Sequence, residues 1–290
     1  MELILSTLIN GLSIGGIYAM IALGYTMVYG IAKMLNFAHG DVIMVGGYLI
    51  YVFMATKNPI LAIALSVVGC VILGVTIEKV AYKPLRGASP LAVLITAIGM
   101  SYLLQSLAQI IFGSASKMVT VYDFGAVKLW GITVQISSLV TLAVTVIVMA
   151  VLTLFIKFTR LGRAMIAVSE DKGAAQLMGI NVNKIITVTF AIGSALAALA
   201  GLFYLLKAPV ISSTLGAMPG IKAFTAAVIG GIGSIPGAML GGILLGMVEC
   251  ISSQIPVIAP YTDAIEFAIL IVILLVRPTG FLGKKRREKV

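Results

Sequence analysis

Eight apolar runs follow one another along this chain, at residues 4–31, 40–56, 60–81, 91–112, 134–157, 184–206, 222–252 and 257–276. Wound as helices, runs of about 20 residues match a hydrocarbon core about 30 Å thick. No water reaches backbone amides at that depth, so each run must satisfy its own, and the helix does so. A barrel would need alternating stretches of about ten residues, and none stands out. Only 10% of the 290 residues are charged, where a soluble domain carries about a quarter. The chain reads as all-α, a polytopic helical membrane protein forming a single transmembrane domain over residues 1–290, with no soluble domain of useful size.

The first run is too long for a straight crossing at about 1.5 Å per residue. It must tilt, protrude or break, and Gly24 and Gly30 are the candidate breaks. Its opening, "MELILSTLING", has no basic region and no small-residue cleavage site, so it reads as a retained helix. Cys70 and Cys250 both fall inside apolar runs and are expected to be small packed side chains.

A net charge of +10 could suggest nucleic acid, but the positives lie at run ends and in the basic tail, 277–290, where they set orientation. If that tail is cytoplasmic, 15 of the 20 Lys and Arg residues share its side. That bias requires one run not to cross. Within 222–252 lies "VIGGIGSIPGAMLGG", whose glycines and Pro236 interrupt a helix. A re-entrant half-helix at 222–229, a turn at 230–237 and a return helix at 238–252 would restore the bias, with the N-terminus outside. The alternative is a glycine-rich helix packed closely on its neighbours through "GAMLG" and "GILLG".

Two polar interruptions stand out. In "MLNFAHGDVIMVGGY", residues 34–48, Asn36, His39, Gly40 and Asp41 sit between apolar runs. They form either a broken helix facing a permeation route or a cytoplasmic turn in which Asp41 helps start the next helix. Glu78, Glu249, Asp263 and Glu266 lie in or near apolar runs, and of these Glu249 looks deepest. No nucleotide-binding loop and no metal-ligand spacing occur, so no cofactor, metal or catalytic set is expected.

The second interruption, about 158–183, carries "KFTRLGR" and then "SEDKGAAQLMGIN". Ser169 or Asp171 can cap a short helix there, Glu170 and Asp171 suit its first turn, and Gly179 can end it. Ala174, Leu177 and Met178 share one face. Such a helix either docks a partner protein or lies on the membrane lipid surface.

In "GAAQLMG", Ala174, Ala175 and Gly179 match the E-A-A-x-x-x-G loop by which ABC-transporter permeases dock their ATPase, with Gly173 where the Glu is expected. Further segments fit the same family: "GYTMVYGIAKMLNFAHGDV", "EKVAYKPLR", "KAFTAAVIGGIGSIPGAMLGG" and "PTGFLG". From about residue 8 onward the chain resembles LivH-type permeases of high-affinity branched-chain amino-acid ABC transporters. Relatives with similar segments import urea or short amides. The resemblance implies a subunit in the bacterial cell inner (plasma) membrane. Its expected partners are a second LivM-type permease, two cytoplasmic ATPase subunits and a periplasmic amino-acid-binding protein, with no nucleic acid. It implies an ATPase-coupling loop around Glu170, Asp171, Ala174, Ala175, Leu177 and Gly179, and a transport path near Asn36, His39, Gly231 and Gly233. An ion-coupled secondary transporter is the rival from another class, with Glu249 as its carboxylate.

Overall fold

The first apolar run forms one helix, α1 (Glu2–Ala32), with no break at Gly24 or Gly30. In this computed structural model, which describes residues 2–122, 124–129 and 132–283, both glycines instead serve close packing. A side chain on Gly24 would run into His39, and Gly30 faces Gly233. At about 1.5 Å per residue α1 is far longer than the hydrocarbon core, so it tilts or protrudes.

After a non-helical connector, α2 (His39–Phe53) leads to α3 (Pro59–Ile77), which continues through a π-helical turn at Glu78–Tyr82. Then come α4 (Pro90–Phe112), α5 (Ile136–Phe158), α6 (Arg160–Glu170), α7 (Lys172–Leu177) and α8 (Val182–Lys207). Three helices close the described chain: α9 (Ala217–Gly230), α10 (Ile235–Gln254) and α11 (Thr262–Val276). Their starts are written locally. Asn58, Ser89, Asn181 and Ser234 each accept a backbone N–H of the first turn, and three of those caps are followed by proline at the start of the helix.

Among the described residues, eight helical stretches are long and apolar enough to cross a membrane. The all-α reading overlooked only two small antiparallel ribbons: β1 (Lys117–Met118) with β4 (Val210–Ile211), and the hairpin of β2 (Ala126–Leu129) and β3 (Ile132–Gln135).

α1 is the central post and runs antiparallel to α10. Gly11 meets Met247 and Cys250, Gly15 meets Ile243, and the far end of α1 meets the turn at Gly233. These contacts define the two ends of the bundle. The ribbons lie at the end where α1 begins. At the other end lie α6, α7 and the segment 279–283, which packs on Gly231. Lys33, Arg86, Arg160, Arg163 and Lys172 gather at this second end, so the positive-inside rule makes it cytoplasmic. The tail beyond Gly283 lies outside the described residues.

The interruption in 222–252 is real, but its geometry differs from the expected one. The short helix starts earlier, at Ala217, and the turn is only 231–234. The turn sits at the cytoplasmic end and not at mid-membrane, because Phe281 and Leu282 donate N–H bonds of 2.9 Å to the Ile229 and Gly230 carbonyls. Ser234 and Pro236 start α10 rather than prolonging the break. The half-crossing without helix therefore lies before Ala217.

Candidate functional site

Two helices begin inside the bundle rather than at its ends, and their starts meet. α1 ends at Lys33, which takes a left-handed conformation with φ 60°, and the connector 33–38 turns back into the bundle. The buried Asn36 side chain holds that connector by accepting a 2.9 Å bond from the Tyr82 hydroxyl, while its carbonyl accepts the His39 N–H. His39 is buried against α1 at Gly24, edge-on to the Tyr25 ring at 4.8 Å. α2 thus starts about eight residues, or roughly 12 Å, in from the end of α1. There its Gly40 backbone touches Gly216 and Gly220 at the start of α9, so closely that a side chain on Gly216 would strike the Gly40 carbonyl.

A cavity of about 270 Å³ opens beside this meeting point. Asp41, Ser101 and Gln105 give it polar groups, and Tyr25, Phe37, Ile98, Tyr102 and Ile221 give it an apolar wall. Gln105 donates a 2.9 Å bond to the Asp41 carboxylate. The segment 34–48 is therefore a helix break inside the bundle and not a turn at its end. It is Asp41, and neither Asn36 nor His39, that reaches the cavity. Gly231 and Gly233 lie at the cytoplasmic turn, away from it, Gly231 tight against Gly280 and Gly283.

Ser101 and Gln105 went unread in the sequence, although the signal was present. Ser101, Gln105 and Gln109 recur every four residues and so form one polar stripe on an apolar helix. The third member, Gln109, bonds Ser213 at 3.1 Å.

A second polar centre lies towards the ribbon end. Lys222, one of the five basic residues that the charge count puts on the side away from the tail, is buried and reaches three carboxylates: Asp263 at 2.8 Å, Glu266 at 3.3 Å and Glu249 at 3.5 Å. Tyr18 donates a 2.6 Å bond to Glu249. The sequence showed these three acids in or near apolar runs but not that one lysine would reach them all, since Glu249 lies 27 positions from Lys222 and Asp263 and Glu266 lie in the next run.

At the cytoplasmic end, Thr159 caps α6 and Asp171 caps α7, accepting the Gly173 and Ala174 N–H groups at 2.8 and 3.0 Å. Ser169 instead bonds back to the Ile166 carbonyl within α6. Gly179, with φ 80°, follows the end of α7. Glu170, Asp171 and Ala174 are exposed, and so are Leu177 and Met178, at 91% and 82%, whereas Ala175 is buried against the bundle. Lys172 donates a 2.8 Å bond to the Ala32 carbonyl, tying α7 to the end of α1. Burial, and then the nearby Arg86 guanidinium, push the Lys172 ammonium below its usual range. Arg86 itself pairs with Glu78, which also accepts from Thr187 at 2.8 Å.

A family described as the branched-chain amino acid transport system, permease component, matches residues 7–274. The high-affinity branched-chain amino acid transport permease BraD of Pseudomonas aeruginosa is 45% identical over 99% of this chain and 98% of its own. The corresponding LivH of Escherichia coli K12 is 42% identical over 99% and 97%. Among solved structures, a metal-chelate type ABC transporter in an inward-facing conformation superposes with a TM-score of 0.53. That match has 15% identity over 95% of this chain and 88% of that one, and it speaks for the fold alone.

Proposed function

The chain belongs to the branched-chain amino acid permease family, and we propose that it is the membrane-spanning subunit of an ABC importer carrying leucine, isoleucine and valine into the cell. The observation that carries this reading is the end-to-end likeness to permeases bearing that name. In this reading the energy comes from two separate ATPase subunits. A second LivM-type permease completes the pathway, and a periplasmic amino-acid-binding protein delivers the cargo.

α7 supports a docking role for the 158–183 segment. Its solvent-facing tip is apolar, through Leu177 and Met178, while Asp171 fixes its start and Lys172 anchors it to α1. A push on α7 would reach Ala32, then the connector 33–38, then the start of α2. Asn36 and His39 would serve transport by setting that connector rather than by touching cargo. Gly231 would serve it by letting the segment 279–283 pack on the cytoplasmic turn, and Gly233 by letting that turn approach Gly30 of α1. Against an ion-coupled carrier stands the engagement of Glu249 by both Tyr18 and Lys222.

Reconstituted with its partner subunits and loaded binding protein, the protein should accumulate leucine only when ATP is supplied. Uptake driven by a proton or sodium gradient without ATP would overturn the reading. Leu177→Glu should leave the fold within about 0.5 kcal/mol of the parent, being an exposed surface change. It should nevertheless lose the ATPase subunits on co-purification. If they stay bound and uptake is normal, α7 is not the coupling element.

A further inference from the structure

The mid-depth cavity carries an inference that rests on the import reading and deepens it. The other membrane-embedded acids in the described chain each meet a cation. Glu78 pairs with Arg86, and Lys222 reaches Glu249, Asp263 and Glu266. Asp41 is different. It is 1% exposed, and its partners are the neutral donors Gln105, Ser101 and its own backbone N–H in the first turn of α2. Ionisable groups at this depth are rare and ordinarily face a partner charge or a water-filled route. Asp41 lines a cavity of a size that can admit a cation from outside the chain.

The rest of the cavity fits one kind of cation. Beside Asp41 stands the first turn of α9: Gly216 packs on the Gly40 carbonyl and the Asp41 backbone, and Ala217 and Gly220 line the same cavity. The Ala217 N–H goes to the Thr214 carbonyl and Pro219 has no N–H, so a carboxylate here meets the Met218 N–H and the positive end of the helix dipole. Glycine at 40, 216 and 220 lets the two helix starts approach to backbone contact, which brings the acid and the helix end side by side at one small volume. Phe37, Ile98 and Ile221 line the same cavity. At about 270 Å³ the space is at the small end of ligand pockets, which start near about 300 Å³.

We propose that this cavity is a waypoint for the transported zwitterion. The ammonium of an α-amino acid meets Asp41, its carboxylate meets the start of α9, and a compact apolar side chain rests on Phe37, Ile98 and Ile221. Two opposite charges a fixed distance apart select α-amino acids over amides and simple amines. The shallow, open wall accepts several branched side chains without gripping one.

The test uses the complete importer in proteoliposomes, with loaded binding protein and internal ATP. A diazirine analogue of leucine, activated by light and mapped by mass spectrometry, should label peptides of α4 and α9 around Ile98–Gln105 and Gly216–Phe224. Leucine, isoleucine and valine should suppress the labelling, and isovalerate and isoamylamine should not. Asp41→Asn keeps the shape and removes the charge. It should cut uptake at least about tenfold, as loss of a buried charge partner does, while the loaded binding protein still stimulates ATP hydrolysis. Ile221→Trp, at an exposed position on the cavity rim, should depress leucine uptake more than valine uptake, and it decides the matter if Asp41→Asn fails to reach the membrane. Normal uptake by Asp41→Asn would overturn the proposal. So would labelling that leucine cannot compete away, or equal leucine and valine uptake by Ile221→Trp. If the unmodified importer itself takes up no leucine, it is the import reading that fails.

Discussion

α1 and α5 are both apolar helices long enough to cross a bilayer, and α5 is the more apolar of the two. Yet 89% of the α1 span is buried within the chain and only 22% of the α5 span. In water the more hydrophobic helix would be the inner one. In lipid that sorting force is absent, because hydrocarbon tails are as apolar as leucine, and helices associate by how closely their backbones can pack. α1 offers Gly11 and Gly15. α10 answers with Gly242 and Gly246, so that Gly246 meets the Gly15 backbone and Gly242 meets Ala19. α5 presents Val146, Ile147, Val151 and Leu154 outward. Small residues mark the contact of α1 with α10, and large ones mark the outward face of α5.

The comparison breaks most visibly at Gly246. A Cβ there would meet the Gly15 backbone, and backbone cannot rotate away as a side chain can. Gly246→Val should separate α1 from α10 at a cost above about 3 kcal/mol, beyond ordinary overpacking of a core. The measurement is the yield of monodisperse protein in detergent and its thermal unfolding. A variant that purifies and melts like the parent would mean that the contact is looser than described.

A second test asks whether the interior tolerates charge only in balance. Lys222 is the cation shared by Glu249, Asp263 and Glu266, contributed by two neighbouring helices. Lys222→Met strands those acids. Removing one partner of a buried pair costs about 3–5 kcal/mol, and the half-exposed Asp263 argues for the lower end. Adding Glu249→Gln and Glu266→Gln should restore most of the loss, which a purely steric role for the lysine would not allow. Thermal unfolding of the single and triple variants measures it. No recovery in the triple variant would count against the charge account.

The contrast between α1 and α5 also explains what the sequence could convey. Apolar length exposed every crossing, because each helix must satisfy the bilayer by itself. The interruptions were visible too, at 34–48, 158–183 and 230–237, since glycine and polar residues have local costs in a helix. Local patterning named Asp171 as a possible cap and Gly179 as a terminator, and both stand there. What depends on the partner across a contact was hidden. Nothing local shows that Gly24 packs on His39 instead of breaking α1, or that Ala175 faces inward while Leu177 faces out. Nor does it show that Asp41 and Gln105, 64 positions apart, share one cavity. The Lys222 cluster failed for the same reason, because its members lie in runs whose order in space the hydropathy pattern does not carry.

The smallest expected effect lies on the surface side of the comparison, at Gly99. It is on α4, a helix whose span is only 22% buried, and a Cβ there would meet nothing within 4 Å. In a water-exposed helix, glycine to alanine would add about 1 kcal/mol of stability through helix propensity. A bilayer changes that expectation. A crossing helix keeps its backbone bonds even when it separates from its neighbours, so the unpacked reference state is already helical and the propensity gain nearly cancels. Gly99→Ala in the purified chain should therefore shift stability by less than about 0.5 kcal/mol. In the assembled importer the outcome divides. If α4 faces lipid, the variant stays silent. If the second permease packs its backbone against Gly99, as α10 packs against Gly15, the variant should weaken co-purification of that subunit while leaving the single chain untouched. A clear loss of stability in the isolated chain would contradict the open space seen around Gly99 and blur the distinction between small residues that face inward and those that do not.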